Sequence, residues 1–413
     1  MEGIKTYIFK NICSKIGSGA TPTGGKEAYK GGDTALIRSQ NVLDFSLSRD
    51  GLAYINEEQA QKLDNVSIQK NDVLLNITGD SVARVCLAPN WVLPARVNQH
   101  VSIIRGKANM IHNHYLLYYL QYKKSYLLSL SQGGATRNAL TKKMIEDIEI
   151  PLPSISYQEK VISILSSLDD KIELNRRIND NLEQQAQALF KSWFVDFEPF
   201  KDGEFVNSEF GMIPKGWRTG VFSDIIEILS GFAFKSNTFE FEGKYKLVTI
   251  KAVQDGYLEL NGADGINDVP VKVPRHCFLK KKDILLSLTG NVGRCCLVNS
   301  DNLLLNQRVA KIEPKKIADW AYTYILFRLS DTKTYLETIS RGTAQANLSP
   351  IETANMPTLI PTREVMDAFS VCATPLVNYS MVLTIEAEKL AQQRDTLLPK
   401  LMSGELKIND LTR

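Results

Sequence analysis

Asn71-Asp-Val-Leu-Leu-Asn-Ile-Thr-Gly-Asp80 recurs in the same chain as Lys282-Asp-Ile-Leu-Leu-Ser-Leu-Thr-Gly-Asn291, a shift of 211 residues from Asp72 to Asp283. Each copy is a short apolar run closed by Thr-Gly, which reads as a buried strand ended by a turn. The correspondence extends outward. Arg84-Val-Cys-Leu87 matches Arg294-Cys-Cys-Leu297, and Leu36 to Val42 lines up loosely with Leu247 to Val253. Asn98-Gln-His-Val101 matches Asn306-Gln-Arg-Val309, now at a shift of 208, and Gly133 to Leu140 matches Arg341 to Leu348 at the same shift. A length difference therefore falls between the Thr-Gly and Asn-Gln motifs. A period of this length is too long for a solenoid and indicates two homologous domains.

Within each half, His114 to Leu120 and Trp320 to Phe327 read as helices packed on the strands. A proline boundary follows, Pro151 and Pro153 or Pro357 and Pro361, and then a long helix. The first long helix is expected from Ser156 to Phe194. Its seam runs Leu165, Leu168, Ile172, Asn175, Asn179, Leu182, Ala186, Leu189 and Trp193, in alternating steps of three and four. A shift of 208 carries this onto Ala373, Leu376, Ser380, Leu383, Ala387, Leu390, Arg394, Leu397 and Leu401. Buried Asn at two seam positions costs stability and fixes register and orientation. Pro375 after Thr374 suggests a fresh helix start, and Pro399 a kink in the last turns. The expected fold class is α+β, with two homologous strand-rich domains separated by two long antiparallel coiled-coil helices.

Composition bounds the function. The chain has 413 residues, 44% hydrophobic and 23% charged, which excludes general disorder. Its 49 basic and 46 acidic residues leave a net charge of +3, too little to coat nucleic acid through bulk charge. The six cysteines form no Cys-x-x-Cys pair and read as small core residues. Neither a signal peptide nor a membrane span is evident, so a soluble protein of a reducing cytoplasm, with no membrane partner, is expected.

Tempting catalytic motifs fail. His112-Asn-His114 spells the name of a nuclease whose site uses dispersed residues. Ala20 to Glu27 imitates a phosphate-binding loop, but Glu27 stands where Ser or Thr would hold magnesium. The four histidines offer little material for acid–base chemistry. No catalytic residue and no metal ligand is assigned, and the chain reads as a recogniser. The candidate nucleic-acid contacts are polar residues at the ends of the apolar runs: Arg38, Ser39, Gln40 and Asn41; Thr78 and Gly79; Arg84; Arg137 and Asn138. In the second half they are Lys251, Thr289, Gly290, Arg294, Arg308, Gln345 and Asn347. Arg, Asn and Gln pair with base edges, and Thr-Gly turns can offer backbone N–H groups to phosphate. The Asn98-Gln99 and Asn306-Gln307 pairs read as structural, because they lie within strand-like runs.

Three segments carry a family resemblance. They are Leu152 to Phe197, Gly211-Met-Ile-Pro-Lys-Gly-Trp217, and Leu397-Leu-Pro-Lys-Leu-Met-Ser-Gly-Glu-Leu406. With the repeat they cover essentially the whole chain, which resembles the specificity subunit of type I restriction–modification enzymes. The resemblance implies target-recognition domains at 1–153 and 198–361, a central spacer helix at 154–197, and a C-terminal spacer helix and tail at 362–413. Each recognition domain would read one half of a split, asymmetric site in double-stranded DNA. Two modification subunits would carry S-adenosylmethionine and methylate adenine. Two restriction subunits would bring ATP and magnesium, and this chain would bind no cofactor. Phe190, Trp193, Phe194 and Phe197, crowded at one helix end, are expected to contribute to partner binding. The competing reading is a two-domain adaptor that binds proteins and not DNA.

Overall fold

The computed structural model describes residues 4–22, 29, 31–132, 138–342 and 346–406. The chain divides into two compact units, residues 1–172 with 389–413, and residues 173–388. Each unit therefore takes part of both long helices.

In the first unit the strands are β1 (Lys5–Ile8), β2 (Cys13–Ser18), β3 (Thr34–Ile37), β4 (Ala53–Ile55), β5 (Val73–Asn76), β6 (Val85–Leu87), β7 (Ala95–Val97), β8 (Val101–Gly106) and β9 (Glu149–Leu152). They form a four-stranded sheet in the order β2-β8-β5-β6, a three-stranded sheet β4-β3-β7, and the pair β1-β9. The second unit carries β10 (Phe205–Ser208), β11 (Gly211–Pro214), β12 (Arg218–Val221), β13 (Ile226–Ser230), β14 (Tyr245–Val248), β15 (Gly265–Ile266), β16 (Phe278–Leu279), β17 (Ile284–Ser287), β18 (Cys295–Leu297), β19 (Leu303–Leu305), β20 (Val309–Pro314) and β21 (Pro357–Ile360). Its sheets are β13-β20-β17-β18 and β15-β14-β19-β16, with the pairs β12-β21 and β10-β11. The repeat in the sequence is thus a repeat in topology. Even the parallel pairing of β3 with β7 returns as β14 with β19.

The repeated motif builds the centre of each unit. All four residues of β5 are buried, because the strand lies between two cores. Val73 and Leu75 face one cluster with the helix Asn113–Tyr122, and Leu74 faces the other. β17 does the same, with Ile284 and Leu286 on one side and Leu285 on the other. Two-sided burial explains why the motif is continuously apolar instead of alternating. The acidic residue ahead of it is structural. Asp72 is fully buried and takes a two-pronged contact from Arg105 at 2.7 and 2.6 Å. Asp283 meets Lys311 at 3.0 Å in the second unit. The Asp72 carboxylate in turn raises the Arg105 guanidinium above its ordinary value. Asp72→Ala is expected to lower stability by about 3 kcal/mol, since it removes a fully buried carboxylate and leaves the partly buried Arg105 guanidinium without its charged partner. Chemical denaturation followed by fluorescence measures this.

The first long helix runs Ile155–Phe194 and the second Arg363–Ser403. The seam buries Leu165, Ile172, Asn175, Leu182 and Ala186. In the second unit the Asn175 amide donates to Glu386 at 2.7 Å and to the Leu383 carbonyl at 3.4 Å, and Asn179 donates to Thr384 at 3.0 Å. In the first unit Arg394 reaches Asp169 at 2.9 Å, and the Tyr157 hydroxyl donates to the Leu401 carbonyl. These pairings rise on one helix as they fall on the other, so within each unit the helices are antiparallel.

Two expectations are corrected here. No fresh helix starts at Pro375: the second helix passes through it and Pro399 without a break. An interior proline costs about 3 kcal/mol, but Phe369, Ala373 and Val377 are buried on either side of Pro375. This second helix also contains an 18-residue window of mean hydropathy 1.5, so one helix is long and apolar enough to cross a membrane. Its Met366, Phe369, Ala373 and Val377 are committed to the core of the second unit. Finally, Cys372 is exposed, whereas the other five cysteines are buried as expected. Burial pushes the Cys13 thiol up to about 12.

The aromatic end of the first long helix is core. Phe190 and Phe194 are buried, and the Phe194 ring lies 4.8 Å from Phe190, 4.7 Å from Phe369, 5.0 Å from Tyr322 and 5.8 Å from Trp217. Trp193 and Phe197 are partly buried against the same cluster. The expectation that these four bind a partner is overturned for Phe190 and Phe194, whose rings are spent inside their own unit. Phe194→Ala is expected to cost about 3–5 kcal/mol of stability. A thermal melt should show the second unit unfolding earlier, with any loss of assembly following from that.

Candidate nucleic-acid interface

The pairing registers place the ends of the central strands on one edge of each unit. In the first, Ser18 pairs with Ser102, Asn76 with Val101, and Ile37 with Val97. β2, β3, β5 and β7 all end there, and β8 begins there. The segments that leave this edge are 19–22, 38–41, 77–81 and 98–100. Residues 138–140 join them, because Gly79 N–H donates to the Asn138 carbonyl at 3.1 Å and Leu140 N–H to the Ile77 carbonyl at 2.8 Å. In the second unit Ser230 pairs with Ala310, Val248 with Leu305, and Ser287 with Val309. Segments 231–235, 249–254, 288–293 and 306–308 share that edge. Gly290 N–H donates to the Ala346 carbonyl at 2.9 Å and brings in residues 346–348.

Most of the residues expected to touch nucleic acid are therefore gathered on two equivalent edges, but several are already occupied. Asn41 is fully buried. Its Oδ1 accepts the Arg38 N–H at 3.1 Å and its Nδ2 donates to the Asp50 carbonyl at 3.0 Å, so it shapes the turn and cannot reach a base. Arg38 is half-buried, with its guanidinium on the Gly51 carbonyl and 5.6 Å from the Tyr29 ring. Ser39 gives its carbonyl to Asn76 at 2.8 Å. Thr289 is buried and donates to Asn347 at 2.8 Å. Arg294 is held by Gln254 at 2.5 Å. The N–H groups of Gly79 and Gly290 go to chain carbonyls, which removes them as phosphate donors. Gln40, Lys251 and Arg308 remain exposed, and Arg84 is half-buried. Arg137 and Gln345 lie outside the described residues.

The Asn-Gln pairs divide. Asn98 and Asn306 are buried and accept backbone N–H groups, from His100 at 3.0 Å and from Gln307 at 2.7 Å, as structural residues do. Gln99 and Gln307 are exposed on the edge, which their place in an apolar run concealed. Arg308 sits at φ +71, a left-handed conformation that turns the chain sharply between β19 and β20.

Each edge is tied to the helices of its own unit. The Tyr118 hydroxyl donates to Asp169 at 2.7 Å, and burial together with that carboxylate pushes its phenol pKa up. The Arg394 guanidinium stacks 3.5 Å from the centre of the Phe45 ring. In the second unit Arg328 donates through Nε to Glu183 at 2.9 Å and also pairs with Asp255. Among the described residues no cluster of His, Cys, Asp and Glu could hold a metal.

Two modules of one topology, each presenting polar loops at one strand edge and each fixed on paired helices, define a recogniser of a two-part target. A family described as the type I restriction modification DNA specificity domain matches residues 1–184 and 214–358. The MjaIX specificity subunit of Methanocaldococcus jannaschii is 30% identical, over 96% of this chain and 92% of its own length. The HindI specificity subunit of Haemophilus influenzae is 24% identical, over 82% of this chain and 87% of its own. The type I S subunit of M. genitalium shares the fold, with a TM-score of 0.53 at 16% identity over 97% of both chains. The chain belongs to the family of type I restriction–modification specificity subunits.

Proposed function

We propose that the chain reads a split, asymmetric site in double-stranded DNA, one half through each strand-end edge, and directs adenine methylation and restriction by partner subunits. The observation that carries this reading is the convergence, twice in one chain, of equivalent polar segments on equivalent edges. The near-neutral net charge of +3 suits a reader held on DNA by partners better than one held by its own field. In this reading two modification subunits supply S-adenosylmethionine and the methylating site. Two restriction subunits supply ATP- and magnesium-dependent cleavage. The protein-adaptor alternative is disfavoured by family membership.

On the second edge, exposed Arg308 is the side chain best suited to grip a guanine edge, and Lys251 to neutralise a phosphate. Arg308→Ala is expected to cost ~1–3 kcal/mol of discrimination at one position of the second half-site, leaving the first intact. Lys251→Ala should weaken all sequences alike and reduce the salt slope. Methylome sequencing and salt-dependent DNA binding of the assembled complex test the pair. Uniform weakening by Arg308→Ala would move that residue to the phosphate class, and no effect from either would remove this edge from the DNA face.

A further inference from the structure

Gln99 stands on the first edge in a bracket of side chains. Gly19 has no room for a side chain, since a Cβ there would lie 1.8 Å from the Val97 carbonyl oxygen. Its N–H donates to the Asn98 carbonyl at 3.1 Å, so segment 19–22 runs against segment 97–99. This brings the Thr21 hydroxyl onto the Gln99 amide oxygen. The other head of that amide, Nε2, lies 3.0 Å from His100 Nε2. His100 Nδ1 in turn lies 2.6 Å from Thr78 Oγ1. Four side chains from three segments are thus joined in one hydrogen-bonded row.

A glutamine amide offers two acceptor lone pairs and two N–H donors. Here one contact is spent at each head, and one acceptor and one donor remain on an exposed amide whose plane is held from both ends. A donor and acceptor side by side in a fixed plane match N7 and the N6 amino group of adenine in the major groove. Fixing them beforehand removes the entropy that a free glutamine loses on binding.

The second edge shows what the bracket adds. Gly231 occupies the place of Gly19, with a Cβ position 2.1 Å from the Asn306 carbonyl oxygen. Two residues further on, however, stands Ala233 in place of Thr21, and Arg308 replaces His100. Among the described residues the Gln307 amide has no side-chain partner. Among the described residues, the same frame therefore carries a clamped Gln in one domain and an unclamped Gln beside an Arg in the other.

We infer that Gln99 is a specificity-determining residue that reads an adenine in the first half-site, with Thr21 and His100 as positioning residues. This rests on the strand-end edge being the DNA face. The test uses the full chain assembled with its modification subunits and reads the methylated sites in host DNA. Gln99→Ala should relax a single A·T position of the first half-site, with discrimination there falling about 5- to 150-fold, and leave the second half-site unchanged. Gln99→Glu keeps the length but loses the donor, and should lose the adenine preference as well. Thr21→Val should relax the same position, and Thr21→Ser should restore it, which a merely structural threonine would not do. An unchanged methylome with an assembled Gln99→Ala complex overturns the inference, as does uniform weakening of all sites. If Arg308→Ala relaxes the second half-site while Gln99→Ala changes nothing, the edge reading stands and this inference alone falls. If neither changes anything, the edge reading falls too.

Discussion

Replacing residues 1–153 with the matching segment of a relative of different specificity changes the first half of the methylated site entirely and leaves the second half as it was. Each unit has its own pair of cores around its own repeated strand, and the described apolar residues of the first domain's strands cluster in the two cores of the first unit. The exchange must preserve what fastens the domain to its helices, namely Phe45 under Arg394 and Tyr118 on Asp169. A donor with an aromatic and a hydroxyl at those places should graft cleanly. One without them would leave Arg394 and Asp169 buried without these contacts, at a cost of a few kcal/mol. Methylome sequencing distinguishes the outcomes. Both half-sites changing together would defeat modular recognition.

Inserting residues into the first long helix should have an effect that depends on their number. The helix has 40 residues, and four more after Glu173 lengthen it by ~6 Å and turn its continuation by only ~40°. Leu165 and Ile172 before the insertion, and Asn175 and Leu182 after it, would still share a face. DNA advances ~3.4 Å per base pair. The expected result is an active complex whose non-specific gap is longer by one to two base pairs, with both half-sites unchanged. Two inserted residues rotate the continuation by ~200°. Asn175 would then leave Glu386 and Leu383, or Leu165 and Ile172 would turn to solvent, and activity should be lost. An active four-residue variant with its original gap would sink the idea that the helix sets the spacing.

Much of the fold was legible because its signals are local or repeated. The alternation of three- and four-residue steps from Leu165 to Trp193 needs only a helix to acquire meaning, and Asn175 is buried where that count places it. The Thr-Gly and Asn-Gln motifs recur in both halves because both halves fold alike. The helix start was read as Ser156 and found at Ile155. Pro375 misled because a local penalty was weighed without the burial of Phe369 and Val377, which the sequence does not display.

The site was less legible. Asn41 and Gln40 are neighbours of similar chemistry, yet one is fully buried and the other exposed. Composition cannot separate them, because the difference is made by Ser48 to Gly51 returning across the turn. Gln99 was set aside as structural because it follows an apolar run, and only the approach of Gly19 and the reach of His100 to Thr78 give it a role.

The sequence by itself determined the two-fold repeat, the strand-rich domains and the paired helices, since periodicity and recurrence are local signals, and the resemblance of Leu152 to Phe197, Gly211 to Trp217 and Leu397 to Leu406 pointed to the family. Only the tertiary structure decided which polar side chains are free. That question depends on contacts between segments far apart in the chain: Arg38 with Gly51, Gly79 with Asn138, Thr21 with Gln99, Phe194 with Phe369. A hydrogen-bonding group spent on such a contact is no longer available to DNA, and a ring buried by one is no longer available to a partner. Neither kind of contact leaves a pattern in the local order of residues.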